Sequence, residues 1–190
     1  SGAAVLARKP GAAIEAALPS ATEALFARLC RIFKVVICDT GGAPADAMPH
    51  DLMNRVDEIW LVTDASVSAL IALGHAIETL KRLGALDPDA GEPRVHLIVN
   101  RDVDDGGITP TQIAERFALP LLAALPERMR LMRATSSLGQ LMQDQYPLDP
   151  YIKALHPLIA RLRADNPALP ASTSRKWLAG LKAMSWKKAT

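Results

Sequence analysis

The stretch DEIWLVTDASVSALIALGHAIETLKRLG, residues 57–84, sets a short apolar run, IWLV at Ile59 to Val62, ahead of a long segment of helical period. In that segment Leu70, Leu73, Ile77 and Leu80 recur every three or four residues. Ser66 or Ser68 can cap its start and Gly84 can close its end. The pattern predicts a strand followed by a helix of about four to five turns. A second apolar run, VHLIV at Val95 to Val99, comes next. Strand, helix, strand is a βαβ unit, and its parallel sheet needs helices on its faces.

Upstream, FKVVICDTGG at residues 33–42 holds a third such run, VVIC at Val35 to Cys38. It too reads as a strand buried on both faces. Downstream, the loop DVDDGG leads into TPTQIAERF, where Thr109 is the expected N-cap, Pro110 the first helical residue and Gln112 the second half of a capping box. LPLLAALP, residues 119–126, reads as a short edge strand. RMRLMRATSSLGQLM and DPYIKALHPLIARLR then supply closing helices, the second tolerating Pro157 only with a kink.

A chain of 190 residues that is 49% apolar fills one core, and 4% aromatics with 14 prolines suits a helix-rich α/β domain. Cys30 and Cys38 stand alone, with no second pair and no histidine at ligand spacing. That argues against a disulfide framework or a zinc site and fits a reducing cytoplasm. Nothing at the start has the pattern of a signal peptide, and no apolar run reaches the ~18 residues of a membrane span. Neither a Ser-His-Asp nor a Cys-His set is readable from His50, His75, His96 and His156, and GxGxxG is missing.

The charge is uneven. Residues 166–190 carry Arg175, Lys176, Lys182, Lys187 and Lys188 with no acidic residue, more than the whole net charge of +2. Residues 1–165 therefore read as one α/β domain, and residues 166–190 as a linker, NPALPASTS, with a basic amphipathic C-terminal helix. Trp177, Leu178, Leu181 and Met184 fall on one helical face and Lys182 and Lys187 elsewhere. Such a helix suits an anionic membrane surface; docking on the protein's own core or a solvated tail are the alternatives. Five charges without a recognition motif give no specific nucleic-acid binding.

In open parallel sheets ligands bind beyond the carboxyl ends of the strands. That rule singles out Asp39, Thr63 with Asp64, and Asn100 with Arg101. Asp39 is placed to hold a hydrated magnesium ion, with Gly41 and Gly42 letting the chain turn past phosphates; an aspartate that caps a turn is the plain alternative.

Taken together, FKVVICDTGG, residues 57–84, VHLIVNR and LPLLAALPERMRLMRATSSLGQLM stand in an order and spacing that resembles the MinD/ParA class of deviant P-loop ATPases. Within that class the match, over roughly residues 30–162, is to CpaE/TadZ pilus-assembly proteins. The resemblance implies a parallel sheet flanked by helices, of the P-loop NTPase type in part, and ATP with Mg2+ as cofactors. By the same resemblance Asp39 is the Walker B carboxylate holding Mg2+ through water, with Thr40 and Gly41 beside it. Asn100 reads the adenine edge, Arg101 serves the same nucleotide, and Pro126 lies in the loop beside the base. It further implies an ATP-dependent dimer that positions type IV (Flp/Tad) pilus or secretion proteins from the cytoplasm. Attachment is peripheral at the inner membrane, through Trp177, Leu178, Leu181, Lys182 and Lys187.

The chain contains no Gly-Lys dipeptide, so the family's phosphate-binding loop has no counterpart in it. The resemblance enters after that loop, and the chain is read either as a portion of an ATPase or as a scaffold that keeps the fold without hydrolysis. Where relatives carry an Asp and an Arg in the helix after Asp64, this chain has SALIALGHAIETL, with His75 near that position. A sheet lacking the loop's strand is expected to expose edges and self-associate.

Overall fold

A computed structural model describes residues 19–40, 53, 55–86, 93–103 and 106–164. The elements in chain order are α1 (Pro19–Ile32), β1 (Ile59–Thr63), α2 (Val67–Arg82), β2 (Val95–Asp102), α3 (Pro110–Phe117) and β3 (Leu121–Pro126). Four helices close the described chain: α4 (Met129–Ser137), α5 (Met142–Gln145), α6 (Pro150–Ala154) and α7 (His156–Ala164).

The three strands form one parallel sheet in the order β1-β2-β3. Ile59 pairs with Val95 and Thr63 with Val99, so β1 and β2 run in step. β2 and β3 slip twice, between Leu97 and Ile98 and again before Asp102 pairs with Pro126. β2 is central and its first five residues are buried, which is why VHLIV reads as a continuous rather than an alternating apolar run.

Each face of the sheet has its own core. Leu73, Ile77 and Leu80 of α2 and Ile113 of α3 cover Val95, Leu97 and Val99. On the other face Leu158 of α7, with Tyr151 and Leu155, packs against Ile98, Ala123, Leu125 and Trp60. Parallel strands with helices on both faces are the architecture expected from the sequence.

Local signals account for most boundaries. Ser66 caps α2 by accepting from the Ala69 amide. At the other end Gly84, at φ +69°, lets the Ala85 amide reach back to the Leu80 carbonyl at 2.9 Å and the Gly84 amide to Lys81 at 3.0 Å, a Schellman closure. Thr109 and Gln112 form the capping box of α3 with Pro110 at its start. The last apolar segment breaks at Leu155 instead of kinking. Pro157 cannot donate to the Lys153 carbonyl, so α6 stops and α7 begins afresh.

Two expectations need correction. Val35 to Cys38 forms no strand: residues 35–40 run without assigned secondary structure and Ile37 is 63% exposed. Asp39 accordingly does not stand at the end of a sheet strand, but on an exposed segment following α1. A β-branched run becomes a strand only when a neighbouring ladder takes its N–H and C=O groups, and among the described residues β1 pairs with β2 alone. The helix α1 has no counterpart in the sequence reading. Residues 166–190 lie outside the described residues.

Candidate crevice at the carboxyl ends of the strands

Parallel strands end together, so β1, β2 and β3 deliver Thr63 with Asp64, Asn100 with Arg101 and Asp102, and Pro126 with Glu127 to one rim. Of these, Asp64 is the most heavily partnered. One of its carboxylate oxygens accepts from the Ser66 amide at 2.9 Å and the Ser66 hydroxyl at 2.5 Å. The other lies 3.5 Å from the Arg101 guanidinium. The Ser66 hydrogen bonds, with help from Arg101, hold its carboxyl below the usual aspartate range despite some desolvation.

This arrangement has a chemical consequence. A helix N-terminus attracts anions, but at α2 that position is filled by the chain's own Asp64. A phosphate there would meet a carboxylate. Arg101 is left as the cationic group of the rim, half of it open to solvent.

Arg101 itself adopts φ +53°, a left-handed conformation unusual for a side chain of its size. Its amide donates to Asn100 Oδ1 at 2.9 Å. The Asn100 carboxamide is thus oriented with its oxygen engaged and its NH2 available to donate, a geometry suited to a ring nitrogen or carbonyl acceptor. Beside it the Glu127 amide donates to the Asp102 carbonyl at 3.0 Å, continuing the β2–β3 ladder past Pro126.

The loop after β3 is tied down by residues that carried no signal in the sequence reading. Glu127 accepts from the Met129 amide at the start of α4. Arg128 Nε donates to both oxygens of Asp149, at 3.2 and 3.1 Å, while Asp149 also caps α6 by accepting from the Tyr151 amide at 2.8 Å. Only the Asp-Pro pair at residues 149–150, a helix-start signal, pointed toward this clamp.

Of the expected site residues, Asn100, Arg101 and Pro126 are gathered along the ends of two paired strands. Asp39 and Thr40 are exposed and belong to no strand of that sheet. Gly41, and the C-terminal Trp177, Leu178, Leu181, Lys182 and Lys187, lie outside the described residues. Among the described residues no group of three or more His, Cys, Asp or Glu side chains is placed to hold a metal ion. At this rim Asn100 offers an amide donor and Arg101 a cation, with Pro126 at the end of the adjoining strand; among the described residues no Gly-rich cradle for phosphates is present. No described helix is long and apolar enough to cross a membrane.

No protein-family model and no curated protein matches the chain. Solved structures do. The ParA family ATPase from Chlorobium tepidum aligns at a TM-score of 0.54 and 18% identity, over 73% of this chain and 55% of that one. The MinD cell division protein of Aquifex aeolicus aligns at 0.47 and 16%, over 57% and 44%. The Pyrococcus furiosus cell division ATPase MinD aligns at 0.43 and 23%, over 60% and 44%. The chain spans about half the length of these structures. Parallel topology and the first of these alignments agree that this chain has, in part, the ParA/MinD type of P-loop NTPase fold.

Proposed function

We propose that this chain is the base-binding and partner-facing portion of a MinD/ParA-like ATPase of the CpaE/TadZ kind, which positions or assembles a type IV (Flp/Tad) pilus or secretion apparatus at the inner membrane. What carries the reading is the gathering of Asn100, Arg101 and Pro126 at the carboxyl rim of a sheet that aligns with a ParA family ATPase. In this reading residues 1–165 are the α/β domain and residues 166–190 the linker and membrane-facing segment. The protein self-associates, works from the cytoplasm, and takes ATP with Mg2+. The Asn100 NH2 donates to the adenine edge, Arg101 compensates negative charge, and Asp39 with Thr40 and Gly41 serves the metal. Phosphate binding is supplied by residues outside the described sheet.

Isothermal titration with ATP and magnesium tests this. Asn100→Ala is expected to weaken binding about tenfold, the effect of one lost hydrogen bond of ~1.4 kcal/mol. Asp39→Ala is expected to abolish the magnesium dependence. Binding unchanged in both variants would overturn the assignment. For the C-terminal segment, binding to vesicles is expected to require anionic lipid and to weaken on Trp177→Ala, and equal binding to neutral vesicles contradicts it.

A second reading has its own support. The α2 N-terminus is occupied by Asp64, Asp39 lies outside the sheet, and the chain has no Gly-Lys pair. These favour a scaffold that keeps the fold for protein contacts without hydrolysis. No heat on titration with ATP and magnesium, together with intact self-association, selects it.

A further inference from the structure

Asn100 and Arg101 stand where the sheet changes register. β2 takes three steps from Val99 to Asp102 while β3 takes two, from Ala124 to Pro126. The extra residue is a bulge in β2, and a bulge re-aims the side chains it carries away from the ladder. Its backbone cost falls on Arg101, at φ +53°. A non-glycine residue stays in that conformation only when its surroundings over-determine it. The aim of one amide donor and one cation therefore depends on what fixes the two ends of the bulge.

The inner end is fixed by the core, since Val99 is fully buried and pairs with Ala124. The outer end has only the ladder bond from the Glu127 amide to the Asp102 carbonyl, at 3.0 Å. Beyond it the chain runs into the two residues between β3 and α4, and such connections move more than the strands they leave. Arg128 restrains this one. Its Nη1 donates to the Glu127 carbonyl at 2.8 Å, and its Nε is shared between the two Asp149 oxygens at 3.2 and 3.1 Å. Glu127 is thus held through its amide by β2 and through its carbonyl by Arg128. Asp149 is itself anchored: it accepts from the Tyr151 amide at 2.8 Å, and Tyr151 packs into the apolar cluster beneath α7.

The two arginines at this end of the sheet consequently differ. The Arg101 side chain is 58% exposed and meets Asp64 only at 3.5 Å. Arg128 is engaged by a carboxylate and a carbonyl of its own chain. The first is open to a ligand, and the second is committed to the protein.

We propose that Arg128 and Asp149 are positioning residues of the rim: through Glu127 and Asp102 they hold the outer end of the bulge and so fix where Asn100 and Arg101 meet a ligand. The proposal deepens the nucleotide reading of the rim and rests on it. It makes the seating of α6 on the sheet a determinant of affinity at the strand ends.

Asp149→Asn tests this in the full chain, because it removes the charge pair yet leaves a side-chain oxygen to cap α6. Amide exchange resolved by residue is expected to be about tenfold faster at Glu127 in this variant. It should be unchanged at Leu97, whose amide donates to the Pro120 carbonyl at 2.9 Å. Titration calorimetry with ATP and magnesium is expected to show affinity lowered about fivefold in Asp149→Asn and in Arg128→Gln, and no further in the double variant, since both break one contact. Faster exchange confined to Glu127 together with this non-additive loss supports the proposal. Equal acceleration at Leu97 overturns it, as a general loss of stability. Additive losses, or a loss in Arg128→Gln alone, overturn it too, because Arg128 then acts on the ligand itself. If Asn100→Ala weakens ATP binding while Asp149→Asn matches the unsubstituted chain in exchange and affinity, the nucleotide reading stands and the positioning role falls. No heat with the unsubstituted chain overturns both.

Discussion

Two apolar runs of like composition meet different fates in this molecule. VHLIV becomes the buried central strand β2, while VVIC, equally short and β-branched, stays outside the sheet with Ile37 largely in solvent. The difference lies in neighbours. β2 has a ladder on each side and a helix layer on each face, so its backbone pairs on both edges and its apolar side chains are covered on both faces. Among the described side chains, none of residues 23–40 belongs to either core cluster. Strand propensity is a preference for a half-buried pleated surface, and it has no effect where no such surface is offered.

The largest test of this contrast lies at β2. Leu97 is fully buried beneath α2 and α3. Leu97→Ala is expected to destabilise by ~2–5 kcal/mol, the cost of lost transfer energy plus a cavity. Urea denaturation measures it as a lower midpoint at unchanged slope. A loss below about 1 kcal/mol would mean that the packing around β2 relaxes freely, against the picture of a rigid centre.

The same physics explains what was readable from residues alone. Three local signals held: the Thr109–Gln112 capping box, the Ser66 cap and the Gly84 closure are each set by a few adjacent residues. The βαβ order followed from period, because Leu73, Ile77 and Leu80 can share a buried face only in a helix. The expected strand at 35–38 failed because pairing is non-local and no residue within VVIC encodes its partner. At the rim the sequence gathered Asn100, Arg101 and Pro126 through the parallel-strand rule, but the Asp64–Arg101 pair and the Arg128–Asp149 clamp depend on distances across the fold. Separations of this kind leave no trace in spacing.

An intermediate effect is expected where α7 is pinned to the sheet. Glu58, just before β1, accepts from the Trp60 indole at 2.7 Å and pairs with Arg161 of α7. Desolvation raises its pKa, but the Trp60 and Arg161 contacts outweigh that and hold the carboxyl below the ordinary glutamate value. A carboxylate whose folded pKa is depressed stabilises above the unfolded value, about 4.3, and that contribution fades as pH falls through the folded one. Glu58→Gln is therefore expected to cost about 1 kcal/mol at pH 7, since the pair is partly solvent-screened. The gap to the unsubstituted chain should narrow as pH falls below the unfolded value, about 4.3. A gap that is constant from pH 7 to pH 3 would show that the glutamine loses shape rather than charge.

The smallest expected effect returns to the run that stays out of the sheet. Ile37→Asp places a charge in the middle of VVIC, a change that would cost several kcal/mol inside a parallel sheet, where an unpaired carboxylate has no water. At a side chain already 63% exposed it is expected to shift stability by no more than ~0.5 kcal/mol. Urea melts of Ile37→Asp and Leu97→Ala side by side thus separate sequence pattern from structural context. Should the two prove equally destabilising, residues 35–38 take part in the cooperative core. The edge of β1 away from β2, unpaired among the described residues, would then be the natural place for their ladder partner.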